Sequence, residues 1–185
     1  MNREQALDLL KTYVHNQNTI KHSMASEAVL RALATKLGTD VEKWGLAGLL
    51  HDIDYETTSG NAKTHGLESV KILSEHNVNP EIIEAIKLHN ELAEGVSVRS
   101  KPFHFALAAG ETITGLITAT ALVYPDKKLS SVKTKSITKR MKERSFAASV
   151  NRDVIMECEK LGIPIDEFAQ ISLTAMCNIS DQLGL

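Results

Sequence analysis

The sequence predicts an all-α chain, a single-domain bundle of about eight helices. Three observations support this. Apolar residues recur at helical spacing in nearly every segment. Helix start and stop signals separate those segments. No stretch of useful length alternates apolar with polar residues as a half-buried strand would, and there is no internal repeat or low-complexity segment.

The elements follow in order. Ala6, Leu7, Leu10 and Val14 define a first amphipathic helix from Arg3 to His15. Asn16 to Thr19 are turn formers, so a second helix is expected to start near His22. Ala25, Ala28, Val29, Ala32 and Leu33 form its buried stripe, and Gly38 is placed to end it. Asp40 is a candidate N-cap for a third helix through Trp44, Ala47 and Leu50 to His51. Tyr55 to Lys63 lack periodicity and read as a polar loop. Thr64 is expected to cap a fourth helix with His65 in its first turn. Asn79-Pro80-Glu81 is a strong start signal for a fifth, which ends at His89. Phe103 to Val123 is apolar nearly all round, as a central helix would be, and Pro125 stops it. A basic stretch, Lys127 to Arg144, precedes two last helices over Asn151–Leu161 and Asp166–Leu183. The expected metal-site core spans residues 20–123, with 124–185 packing on it.

Composition narrows the function classes. The chain has 185 residues, 43% hydrophobic and 24% charged, which suits one domain with a real core. A net charge of -2 gives no general attraction to nucleic acid or anionic membrane. Aromatics at 4% leave few platforms for stacking bases. No apolar run is expected to span a bilayer, and the N-terminus lacks the apolar stretch of a signal peptide. Two cysteines without a CxxC motif suit a reduced, cytoplasmic setting. The basic stretch reads as a solvated helix face, the alternative being a rim that attracts an anion.

Candidate chemistry centres on Gly48-Leu49-Leu50-His51-Asp52-Ile53-Asp54, where an apolar run leads into an imidazole and a carboxylate. Burying both costs free energy unless something pairs with them. The pair alone could be a helix end in which His51 caps carbonyls and Asp52 faces water. His22, His65 and His89 also fall at or near helix ends, and Glu111 lies within the apolar central helix. A carboxylate there must be paired, coordinated or protonated. Bringing Glu111 to His22, His51 and Asp52 resolves these burials together. The resulting nitrogen and oxygen ligands suit Mn²⁺, Fe²⁺, Co²⁺, Ni²⁺, Mg²⁺ or Zn²⁺. His15 and His76 fit surface positions; His104 lies seven residues before Glu111 on the same helix face.

This order of residues resembles the HD superfamily of metal-dependent phosphohydrolases. The motifs are His22 in Lys-His-Ser-Met-Ala, His51-Asp52, His65 in Thr-His-Gly, His89 in Ile-Lys-Leu-His-Asn, and an acid on the next helix. Compact bacterial HD-domain proteins are the nearest likeness, through His51-Asp52-Ile53-Asp54-Tyr55, Thr114-Gly115-Leu116-Ile117 and Phe146 to Arg152. The resemblance implies metal ligation by His22, His51, Asp52 and Glu111, the last where the family usually has Asp. It implies that His65 and His89 bind a second ion or face the phosphate. Asn90 stands where two-metal members often have a further histidine, which favours one ion over two. Branches that split cyclic dinucleotides usually continue His-Asp with Ile-Gly-Lys, which is absent here.

The implied activity is hydrolysis of a small phosphate ester, a nucleotide by preference, with no membrane or nucleic-acid partner expected. Asp52 would position the attacking water, Asp54 or Glu56 would serve as general acid or base, and Lys63, His65 and His89 would meet the phosphate. Two rival classes stand beside it: an HD-like nucleotide-binding or sensing module without turnover, and a helical protein whose histidines bind no metal. The sequence leaves oligomeric state open, with a homodimer among the alternatives.

Overall fold

The structure is a computed structural model that describes residues 1–185. Ten α-helices and two 3₁₀ segments make up the chain, with no strand. Helix α1 (Arg3–Tyr13) opens with a capping box between Asn2 and Gln5. Helix α2 (Gln17–Leu37) is capped by Asn16 and ends at Gly38 in the left-handed region. It therefore begins five residues before the expected start near His22. The turn-forming residues continue into helix because Asn16 caps them and Ile20 is buried in the second turn's approach to the core.

Helix α3 (Val41–Leu50) starts at Asp40, whose side chain accepts from the Lys43 amide, and ends at His51, both as expected. Every residue from Trp44 to Leu50 is buried, so this short helix is the inner layer of the bundle. Gly48 explains how it gets there. A Cβ at this position would stand 2.7 Å from the Ser26 carbonyl oxygen and 2.8 Å from the Glu27 amide nitrogen. Helices α2 and α3 thus touch backbone to backbone, which only glycine permits.

Helix α4 (Leu67–Glu75) begins later than expected. His65 lies in the turns before it, and Gly66, at φ 90°, occupies the N-cap. The Asp54 carboxylate accepts from the amides of Gly66 and Ser69, so a residue from outside caps this helix in place of Thr64. Helix α5 (Pro80–His89) follows its Asn79-Pro80 start signal. Helix α6 (Pro102–Leu122) is the central rod, with α2, α3 and α5 packed on it. By length and composition α6 could cross a bilayer, which corrects the expectation that no segment reaches that length; here its apolar surface packs against the other helices.

The C-terminal part is more broken than its pattern suggested. Helix α7 (Thr134–Arg140) is all the helix that the basic stretch forms, after a 3₁₀ turn over Leu129–Ser131. Helix α8 (Arg152–Ile155) passes into a 3₁₀ segment, Met156–Leu161. The expected final helix divides into α9 (Ile165–Cys177) and α10 (Ser180–Leu183). One apolar cluster of 41 buried residues joins residues from Ala6 to Leu183.

Replacing Gly48 with Ala should push α2 and α3 apart and cost about 1–3 kcal/mol, as overpacking does. For a chain of this size that lowers Tm by about 3–10 °C in a circular dichroism melt. Gly38→Ala, with open space around its Cβ position, should cost about 1 kcal/mol through its backbone angle alone.

Candidate metal centre

Four imidazoles meet above α6, and each is fixed at its outer nitrogen. His51 caps α3 and donates from Nδ1 to the Gly48 carbonyl at 2.9 Å. His89 ends α5 and donates to the Ile86 carbonyl at 2.6 Å. Both use last-turn carbonyls that the helix leaves without partners. His65 Nδ1 lies 2.8 Å from Asp54 Oδ1. His22 Nδ1 lies 2.9 Å from Thr114 Oγ1, whose own hydroxyl donates to the Glu111 carbonyl at 2.6 Å. The Thr114 oxygen therefore accepts from His22. His22, His51 and His89 carry a proton at Nδ1 and turn a lone pair inward at Nε2, whereas His65, held between Asp54 and Asp52, also carries a proton at Nε2 that a metal would displace.

The inward nitrogens are crowded. His22 Nε2 and His51 Nε2 are 3.1 Å apart, and His65 Nε2 and His89 Nε2 are 3.0 Å apart. Two lone pairs cannot hydrogen-bond each other, so a proton or cation must stand between them. Asp52 sits at the centre: Oδ1 is 3.1 Å from His65 Nε2, 3.4 Å from His51 and 3.7 Å from His89, and Oδ2 is 3.7 Å from His22. Glu111 Oε2 reaches within 3.6 Å of His22 Nε2. Two triads result, His22–His51–Asp52 and Asp52–His65–His89, each with ligand atoms within 4.8 Å of one another. Nitrogen donors about 3 Å apart fit adjacent positions on an ion whose metal–nitrogen bonds are about 2.1 Å. The donor set contains no thiolate, and it fits divalent ions that take nitrogen and oxygen.

Electrostatics agree with this fit. Burial pushes His51 down to about 3, so it is a neutral ligand at pH 7. Burial pushes the Glu111 carboxyl up to about 8, which keeps it protonated unless a cation faces it. His65 is buried too, yet hydrogen bonds to Asp52 and Asp54 outweigh that and raise it to about 10. Burial opposes the charge on Asp52, but His51, His65, His89 and His22 hold it well below the usual carboxylate range.

The other candidates fall into place around this cluster. Asp54 is fully buried and both its oxygens are engaged by His65, Gly66 and Ser69. It has no open face for a substrate proton, so the general acid-base role expected for it gives way to positioning His65. Glu56 accepts from the backbone amides of His15 and Asn16 and pairs with the His15 ring, holding the entry to α2 outside the cluster. Lys63 is exposed, 3.7 Å from Glu94, and does not line the cleft. His104 is buried against Glu84 and Ser100, turned away from Glu111. His76 caps the end of α4 at the surface.

Three contributors had weak signals or none in the sequence. Thr114 stands three residues after Glu111, on the same face of α6, which is a signal of a kind. Asn90, in contrast, looks like a missing ligand but donates to the carbonyls of Ala62 and His65, tying the polar loop to α5. Arg99 gave no signal. Its buried guanidinium donates to the carbonyls of Leu88 and His89 and pairs with Glu91 and Glu157, so it satisfies the end of α5 just where His89 sits. The centre opens into a cleft of about 410 Å³ whose rim includes Asn90, Glu91, Ser149 and Asn151; no lysine or arginine lines it.

Comparison with known proteins agrees with the motif order. The family described as HD domain matches residues 19–147. The chain belongs to the HD domain family. The resemblance carried by His22, His51-Asp52, His65 and His89 is thereby upheld, and the HD domain supports a metal-dependent phosphohydrolase family. Among its relatives, Ribonuclease Y of Symbiobacterium thermophilum is 28% identical over 162 residues, covering 86% of this chain and 30% of that protein. Ribonuclease Y of Mycoplasma mycoides is 36% identical over 77 residues, 42% of this chain and 18% of the relative. Ribonuclease Y of Sulfurovum sp. is 27% identical over 144 residues, 76% and 27% respectively. The chain spans under a third of the length of these relatives.

Elemental analysis of the protein reconstituted with a divalent metal should show bound ion, and His51→Ala should lower the metal content through loss of the His22–His51–Asp52 position. Asp54→Asn, which disturbs the hold on His65, should weaken metal binding about 10–100-fold. Metal uptake must also displace protons: His65, at about 10, and Glu111, at about 8, both hold theirs at pH 7. Affinity should therefore rise with pH between 6 and 8, with proton release detectable in a weakly buffered titration.

Proposed function

We propose that the chain is a metal-dependent hydrolase of phosphate esters acting on a nucleotide-sized substrate. The observation that carries this reading is the pair of His/Asp triads joined at Asp52 on the floor of an open cleft. A bound divalent metal supplies Lewis acidity and brings the pKa of its water down toward neutrality. His22, His51, Asp52 and Glu111 would hold one ion, and Asp52, His65 and His89 a second. The proposal of two ions revises the expectation of one. That expectation rested on Asn90, and Asn90 leaves the nitrogens of His65 and His89 free to face Asp52.

The remaining residues bind and orient. Thr112 donates to the Glu111 carboxylate and fixes its direction. Ser149 and Asn151 offer neutral polar groups at the rim. Since no lysine or arginine lines the cleft, the two metal positions would carry the attraction for the phosphate. The cleft volume suits a mononucleotide-sized ligand.

A second substrate reading has its own support. The relatives are named ribonucleases, so RNA returns as a candidate substrate, against the expectation that nucleic acid has no part. Protein stripped of metal should be inactive on a panel of phosphate monoesters, diesters and short RNA, and should regain activity on reloading. Asp52→Ala should lower kcat/KM by about a hundredfold or more, as loss of one charge-stabilising group does. Full activity in the stripped protein or in Asp52→Ala would overturn the proposal. Tight nucleotide binding without product across several metals would favour the sensing module instead.

A further inference from the structure

A second cavity adjoins the metal cleft. It has about 530 Å³ and lies between α2, α6 and the C-terminal residues Leu183 to Leu185. The two cavities share His22 and Gly115 in their walls, so one edge of the metal cluster, at His22, stands at their junction. The second one differs in character from the first. Ala119, Leu122, Leu183 and Leu185 give it an apolar surface, and Lys21 is its only lysine or arginine. Lys21 is half-buried beside the cavity and pairs with no carboxylate.

Gly115 marks the neck between them. Glycine inside a helix is unfavourable relative to alanine and calls for a local reason. At Gly110 the reason is packing, because a Cβ there would stand 2.7 Å from Leu30. At Gly115 the nearest neighbour of a Cβ is Val150 at 3.3 Å, a mild contact at the tip of one side chain. What a side chain at Gly115 would take up is space where the cavities meet.

We propose that this second cavity receives the second ester arm of the substrate, which is therefore a phosphodiester with a nucleoside-sized group on each side of the scissile phosphate and a further phosphate on Lys21. The inference rests on the phosphohydrolase reading and narrows it. A monoester has a single organic group, which the metal cleft alone could house; a metal cleft that joins a second cavity beside the ligand His22 matches two groups joined through one phosphorus. Apolar walls suit a base or sugar face, and an unpaired ammonium suits an anion. In the reaction, the water oxygen bonds to phosphorus and the phosphorus–oxygen bond to one arm breaks. The released oxygen takes a proton, leaving an alcohol and a phosphomonoester.

The test compares a 5′-phosphorylated dinucleotide with its unphosphorylated counterpart, by calorimetric binding to metal-loaded protein and by turnover. Wild-type protein should bind the phosphorylated form at least tenfold more tightly, and Lys21→Ala should abolish that preference. Gly115→Val should weaken both ligands tenfold or more while elemental analysis shows unchanged metal content. Should Gly115→Val fail to fold, Ala119→Phe fills the same cavity from another position and should act likewise. Equal preference in wild type and Lys21→Ala, or undiminished binding in the filled variants, would overturn the subsite. If loaded protein splits no ester yet these binding differences persist, the hydrolase reading fails and the subsite stands. If esters are split without these differences, the reverse holds.

Discussion

Four imidazoles that converge through Nε2 on one carboxylate impose the governing constraint on this chain. Ring nitrogens facing each other at 3.0 and 3.1 Å need a proton or a cation between them. The fold holds them there all the same, because every outer nitrogen is engaged by a backbone carbonyl, a carboxylate or a hydroxyl. Each of those partners belongs to an element that is itself fixed: the last turns of α3 and α5, the buried Asp54, and Thr114 on α6. The stability of the bundle is thus spent on keeping nitrogen donors poised for a cation, and the geometry is set before any ion arrives.

The helices serve this end by where they stop. His51 and His89 each terminate a helix, and the ring takes up a carbonyl that the stopping helix exposes. The buried Asp54 does the same service at the start of α4, and Arg99 at the end of α5. Helix α6 supplies the floor, where burial makes Glu111 a reluctant anion and a responsive one, ready to ionise beside a positive charge.

Much of this was legible in the sequence. The helical class, the caps at Asp40 and Asn79, and the convergence of His22, His51, Asp52 and Glu111 followed from spacing and from the cost of burying polar groups. The order of the histidines carried the family. Legibility ended where tertiary contacts override local preference. Asn16 extends α2 backwards through residues that favour turns, and Asp54 delays α4 from a distance in sequence. Asp54 and Glu56 share the chemistry of general acids, and only their hydrogen-bond partners show that they hold structure in place. Arg99 could not be found, because its worth depends on two carbonyls and two carboxylates that fold around it.

The close approach at Gly48 has a consequence for the symmetry of the centre. His22 and His51 ride on α2 and α3, whose main chains are in direct contact, so their separation is dictated by the peptide itself. His65 and His89 are tied instead through removable side chains, namely Asp54, Asn90 and Arg99. Point substitutions can therefore retune the second half of the centre in small steps while the first is inherited as a unit, giving evolution an adjustable jaw set against a fixed one.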